Sequence, residues 1–257
     1  MSSTFSSEAG TAGRLSLRFP QREREEVDQD AERVELVVDG ERRQIRFHDY
    51  ADIYTIPGLY EQLFYDELKC NSPKVVCGTL AEALGQRGQS PDDLRVLDVG
   101  AGNGMVSERL RGLGVGTAVG IDIIPEAAEA AERDRPGVYD EYLVADLTDL
   151  EAGEEAALAA HNFNCLTCVA ALGFGDIPPE AFVVAYNQVE TDGLVALTIK
   201  EDFLESSDGS GFSRLVQGAV SDGALDIIVR KRYRHRLSVT GEELFYVAVV
   251  GVKRRDL

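Results

Sequence analysis

The sequence predicts a doubly wound α/β fold: a mostly parallel sheet of seven strands with helices on both faces, preceded by an N-terminal hairpin and a helical cap. Three observations predict it. From Leu94 onward, short apolar runs of strand length alternate with stretches of helical periodicity, the signature of βαβ units. The last two apolar runs are instead separated only by a turn region at Gly241, so an antiparallel pair closes the sheet. Finally, 257 residues of which 44% are hydrophobic suffice for one such core and an appendage.

In chain order, Met1 to Gly13 is rich in Ser, Gly, Thr and Ala, and Gln21 to Arg33 is almost wholly charged or amide. Neither can bury enough apolar surface to fold alone, so residues 1–33 are expected to be a disordered tail. Val34 to Val38 and Gln44 to Phe47 are β-prone runs around a turn that begins Asp39-Gly40, a hairpin signal. Tyr50 to Leu84 carries aromatic and apolar residues at helical spacing and Pro73 at a helix start, which predicts two or three helices packed on the main sheet. Residues 34–90 thus form a hairpin and helical cap, and residues 91–257 the main domain. Its strand-like runs are Arg95 to Val99, Ala118 to Ile121, Glu141 to Ala145, Asn164 to Val169, Leu194 to Ile199, about Leu225 to Arg236, and Leu244 to Val252. Between them lie helical stretches at Met105 to Leu113, Pro125 to Arg133, Glu151 to His161, Pro178 to Val189 and Phe212 to Ser221.

Composition narrows the function. A net charge of -19 sets up a field that repels a polyphosphate backbone, so no nucleic-acid partner is expected. The basic run Arg230 to Arg236 is the exception, and reads either as an anion site or as an exposed strand offsetting nearby carboxylates. Cys165 and Cys168 form a C-x-x-C, but inside a run that reads as a buried strand, and no metal site is expected there. No apolar run approaches the roughly 20 residues of a membrane span, and Met1 to Gly10 lacks the regions of a secretory signal. The expected protein is cytoplasmic and makes no membrane contact.

The chemistry-bearing segment is Val96-Leu97-Asp98-Val99-Gly100-Ala101-Gly102-Asn103-Gly104. It places a glycine-rich turn between a buried strand and a helix start, at the sheet edge where α/β folds bind ligands. About twenty residues later Asp122 ends the second strand, where a carboxylate holds a ribose diol. Asp146 ends the third, placed to accept from an adenine amine, and Ile123 and Leu147 are suited to sandwich the ring. Asp122 and Asp146 each have a plainer role as a helix cap. Three carboxylates at three consecutive strand ends, Asp98, Asp122 and Asp146, argue for a common site.

On those residues the chain resembles the class I, Rossmann-like S-adenosylmethionine-dependent methyltransferases, whose first motif looks like Asp98-x-Gly100-x-Gly102-x-Gly104. The resemblance runs from about Leu94 to Val252. It implies S-adenosyl-L-methionine as cofactor, with Gly100, Ala101 and Gly102 against the methionine part and Asp98 beneath the turn. It also implies Asp122 on the ribose hydroxyls and Asp146 on the adenine. Val169 at the fourth strand's end and Tyr65 from the cap complete the expected contacts. Within the class, Tyr50 to Leu84 and Tyr139 to Leu147 are similar to small methyltransferase-like proteins related to the one encoded in the Williams-Beuren deletion region. The fourth strand departs from the pattern. Ala170-Ala171-Leu172-Gly173 stands where nucleic-acid amine methyltransferases carry Asp/Asn-Pro-Pro-aromatic, which points to a small-molecule acceptor.

Two other readings compete with this one. A nicotinamide-dependent oxidoreductase wants G-x-G-x-x-G at the helix start, against the tighter spacing here, and no Tyr-x-x-x-Lys follows. A non-catalytic S-adenosylmethionine-binding or partner protein fits the lack of any obvious general base. Tyr60, Glu61, Tyr65, Asp176 and Lys200 fall near the expected mouth, and His48, His161 and His235 lie in no motif. The sequence therefore names no catalytic residue.

Overall fold

The computed structural model describes residues 14–19, 29–38, 40–172, 176–201 and 211–257. Residues 1–13 and 20–28, most of the expected tail, lie outside the described residues. Strand β2 (Arg33–Val38) pairs antiparallel with β3 (Glu41–Arg46), and β1 (Leu17–Arg18), a part of the expected disordered tail that is instead ordered, pairs with β2's other edge. Alternation explains the hairpin: Val34 and Leu36 are buried while Arg33 and Glu35 face out. Their apolar face packs on the next segment. This comprises helix α1 (Tyr50–Thr55), a π-helical segment at Glu61–Glu67, and the contacts of Ile53, Leu59 and Leu63 with Val34, Leu36 and Phe47.

Helix α2 (Ser72–Arg87) starts with Pro73 in its first turn and stops at Gly88, whose left-handed conformation lets its N–H return to the last turn. The main domain then alternates β4 (Arg95–Val99), α3 (Met105–Leu113), β5 (Thr117–Asp122), α4 (Pro125–Asp134), β6 (Glu141–Val144), α5 (Ala152–Ala160) and β7 (Cys165–Cys168). After these come α6 (Pro179–Asn187), β8 (Leu194–Lys200), α7 (Phe212–Ser221), β9 (Leu225–Leu237) and β10 (Glu243–Lys253). The strand order is β6-β5-β4-β7-β8-β10-β9, parallel from β6 to β8, with β10 antiparallel to both its neighbours. This is the doubly wound sheet the sequence predicts.

The period of two along each strand feeds two cores. Val96, Cys165 and Ala196 point to the face covered by α2 and α3, whereas Leu97, Leu166 and Val195 point to the face covered by α5, α6 and α7. Cys165 and Cys168, three apart in one strand, consequently join opposite cores, a geometry that cannot close on one metal ion. At the far edge Lys253 is buried, and its ammonium donates to the carbonyls of Tyr186, Asn187 and Val189 at the end of α6. A cation there complements the helix dipole. Among the described residues no helix is long and apolar enough to cross a membrane.

Candidate active site

The turn after β4 lies at the carboxyl edge of the sheet, where strand order reverses from β4 toward β7 and β5. Gly100 and Gly102 have φ of 66° and 52°, a region a Cβ disfavours. Space forbids a side chain as well: a Cβ on Gly102 would lie 2.4 Å from the Tyr54 hydroxyl, and one on Gly100 2.9 Å from Ala171 Cβ. The N–H groups of Gly100 and Ala101 both donate to Ile121 O, at 3.0 and 3.2 Å, which ties the turn to β5.

The three strand-end carboxylates have three different environments. Asp98 is buried beneath the turn and accepts from the Thr167 and Tyr139 hydroxyls at 2.6 and 2.7 Å. Burial pushes its pKa up to about 7, against the lowering effect of those two bonds. It does not line the cleft. Asp122 does, and its two oxygens accept from the N–H groups of Gly102 at 2.9 Å and Ile124 at 3.1 Å. Burial raises its pKa and these backbone donors oppose the shift. Asp146 is exposed at the cleft rim, where Oδ1 accepts from both the N–H and the hydroxyl of Thr148, holding the carboxyl below its ordinary range. That is a turn cap rather than a helix cap.

Around Asp122 opens a cleft walled by Ile123, Leu147, Val99, Ile121 and Val169, with Asp146 at its edge. A second chamber adjoins it on the far side of the turn, lined by Ala101, Gly102, Asn103, Tyr65, Cys70 and Tyr246 among others. Tyr65 therefore belongs to the second chamber and not to the cleft around Asp122. His48, Tyr50, Tyr54 and Tyr60 from the N-terminal cap line both spaces, as do Gly100 and Val169 from the sheet. Tyr54 anchors this cover, packing on Ala127 and Ala130 of α4.

The fold assembles several groups that the sequence either named without a partner, as with Glu61, His48 and Asp176, or gave no role, as with Tyr142, Asn103 and Arg135. Tyr139 and Tyr142 brace the turn from below, donating to Asp98 and to Gly102 O (2.7 and 2.9 Å). Asn103 Nδ2 donates to Glu61 Oε1 at 2.6 Å, Arg135 donates to the same oxygen at 2.7 Å, and Asn103 Oδ1 and Glu61 Oε2 remain buried acceptors without a donor. His48 Nδ1 lies 3.1 Å from Asp176 Oδ2 across 128 positions of sequence. In β9 the basic run splits along the strand: Arg232 pairs with Glu201 at the surface, while His235 and Arg236 are buried and Arg236 pairs with buried Glu32. The exposed-strand reading thus holds for part of the run only.

Sheet order, glycine turn and strand-end carboxylate together define a class I, Rossmann-like methyltransferase. A family model described as a methyltransferase domain matches residues 71–222, and the chain belongs to that family. Its reaction is methyl transfer, with S-adenosylmethionine as cofactor. No curated protein matches the chain. Among solved structures, the N-methyltransferase NodS from Bradyrhizobium japonicum, in complex with S-adenosyl-L-homocysteine, is similar with a TM-score of 0.54 at 12% identity, over 81% of this chain and 98% of that one. An S-adenosylmethionine-dependent methyltransferase from Clostridium acetobutylicum matches with a TM-score of 0.51 at 12% identity, over 77% and 97% of the two chains. A putative RNA methyltransferase from Pyrococcus horikoshii gives 0.51 at 14% identity, over 71% and 83%. At these identities the likeness is one of fold.

Proposed function

We propose that this methyltransferase acts on a small-molecule acceptor and holds its cofactor across the two chambers, adenosine in the cleft and methionine along the glycine turn. One observation carries the reading: Asp122, at the end of β5, stands between the glycine turn and the apolar pair Ile123 and Leu147. In this reading its carboxylate accepts the ribose hydroxyls while Ile123 and Leu147 flank the adenine. Asp146 accepts from the exocyclic amine, and Gly100, Ala101 and Gly102 give the methionine part room to approach the backbone. Asp98 acts from beneath, fixing the turn, with Val169 and Tyr65 further along the wall. The donorless oxygens of Asn103 and Glu61 suit an ammonium such as the one cofactor methionine carries. Residues 34–90 form the cover. The net charge of -19 and the departure at Ala170 to Gly173 favour a small acceptor over a nucleic acid. Membership of the subfamily related to the Williams-Beuren-region protein is part of this proposal, rests on the sequence resemblance of Tyr50 to Leu84 and Tyr139 to Leu147, and supplies no substrate.

Asp122→Ala should weaken S-adenosylhomocysteine binding by about 2 kcal/mol, roughly 30-fold, since a charge-assisted acceptor is lost. Calorimetry on the folded variant checks this, and an unchanged affinity overturns the assignment. Asp122→Asn separates the ligand's share from the turn's, because an amide oxygen can still accept from the Gly102 N–H.

A further inference from the structure

We propose that His48, held by Asp176, is the general base of this methyltransferase, and that its acceptor is a small neutral aromatic hydroxyl compound seated in the second chamber. The proposal rests on the cofactor reading above and adds the missing half of the reaction.

The first support is position. His48 lines both the cleft and the second chamber, together with Gly100 and Val169, so it stands where an acceptor in the second chamber meets the sulfonium methyl of a cofactor that spans the two. Its side chain is about 10% exposed. The second support is orientation. Asp176 Oδ2 lies 3.1 Å from Nδ1, and a carboxylate there fixes the tautomer with hydrogen on Nδ1 and the accepting lone pair on Nε2. The ring is further set edge-on against Tyr50, with centroids 5.7 Å apart. Asp176 does not reach the acceptor in this scheme; it is a positioning residue.

Neighbouring groups leave the task to His48. Tyr50, Tyr54, Tyr60, Tyr65 and Tyr246 are all pushed upward by burial and keep their protons through the neutral range. His235 is stacked on Tyr246 at 4.0 Å and bonded to Ser72 at 2.7 Å, and burial and Arg236 hold it well below its ordinary range. Cys70 is pushed up by burial, and Asp122 is engaged with backbone donors.

The chamber's chemistry selects the acceptor. Phe47, Phe64, Tyr65 and Tyr246 give it aromatic walls, and its one guanidinium, Arg236, is already neutralised by Glu32. A flat ring gains contact there, and with Arg236 already paired the chamber offers no free cation to a permanently anionic acceptor. A phenol arrives neutral and must shed its proton as it attacks. The O–H bond breaks as the proton passes to His48 Nε2, and the oxygen's electron pair forms the new O–C bond to the sulfonium methyl. The C–S bonding pair stays on sulfur, leaving S-adenosylhomocysteine, and the imidazolium returns its proton to water.

Two phenols test this on the full chain. 4-Methylphenol needs a base, while 4-nitrophenol is far more acidic and is already ionised in large part slightly above neutral pH. His48→Gln should lower 4-methylphenol methylation by about 10²- to 10⁴-fold and 4-nitrophenol methylation far less. Asp176→Asn should lower the former by about tenfold and displace its pH profile, and it serves as the second variant should His48→Gln fail to fold. A readout without turnover is the phenolate absorption band. 4-Nitrophenol added to the S-adenosylhomocysteine complex about one pH unit below its solution pKa should show a band stronger than that of the free phenol with wild type, and no such increase with His48→Gln. Equal losses for both phenols, or no loss, overturn His48 as base. Failure of wild type to methylate either phenol, or a preference for benzylamine, overturns the acceptor class. If wild type binds no S-adenosylhomocysteine by calorimetry, the cofactor reading itself falls; binding retained in both variants shows that it stands.

Discussion

At the scale of single residues, Asp98 is a carboxyl whose burial penalises its charged form. A carboxyl whose folded pKa is about 7, against about 4 in the unfolded chain, binds more protons in the native state throughout that interval. Stability contributed by this group is therefore present at low pH and lost as pH rises from about 4 through about 7. Asp98→Asn keeps a donor and an acceptor for Thr167 and Tyr139 without the charge. Relative to wild type it should gain roughly 3 kcal/mol between pH 5 and pH 8, read from urea denaturation at both values. A parallel pH dependence in the two proteins would mean that Asp98 does not titrate there. Asp146 offers a contrasting case because it is exposed and already occupied by Thr148 through one oxygen. If the other oxygen meets the adenine amine, Asp146→Asn should shift relative affinity toward an S-adenosylhomocysteine analogue lacking that amine. Equal ratios in both proteins would leave Asp146 a turn cap only.

At the scale of elements, the glycine turn and the tyrosine cover are one unit. Gly102→Ala forces a Cβ into the left-handed region and against the Tyr54 hydroxyl, so it should destabilise by about 1–3 kcal/mol. Tyr54→Phe removes the clashing oxygen, and the double variant should recover about 1 kcal/mol; strictly additive losses would show that turn and cover are independent. Hydrogen exchange tests the cover's motion. S-adenosylhomocysteine should protect amides of α1 and the π-helical segment as well as Gly100 to Gly104, and protection confined to the turn would leave the cover a fixed layer. These elements were legible in the sequence to different degrees. The strands, the glycine turn and the carboxylates ending β5 and β6 announce themselves locally, because apolar period and glycine placement are near-neighbour properties. His48 with Asp176, Asp98 with Tyr139 and Thr167, and Arg236 with Glu32 were not legible, since each joins positions that only the crossovers bring together. The basic run misled for a related reason: β9 is exposed over Arg230 to Arg232 and buried at His235 and Arg236, so a uniform charge pattern divides along the strand between surface and interior.

At the scale of the whole molecule, 45 acidic residues face 26 basic ones, and the compact state carries their mutual repulsion. Thermal midpoints should rise when sodium chloride goes from about 10 to about 200 mM, because screening relieves repulsion more than it weakens the scattered surface pairs. A falling midpoint would show that those pairs dominate. The sheet's order carries a different consequence, in the time dimension of synthesis. β10 sits between β8 and β9, yet it is made after both, and β9 touches the sheet only through it. As the chain leaves the ribosome, β9 emerges as an orphan of 13 residues with neither edge engaged, and β8 waits beside it with one edge bare. Nothing can seal either until the final strand slips into the gap. The sheet therefore closes by an insertion, and a chain stopped at Glu242 should emerge as chaperone-bound or aggregated material, while one that extends through β10 closes in a single late event.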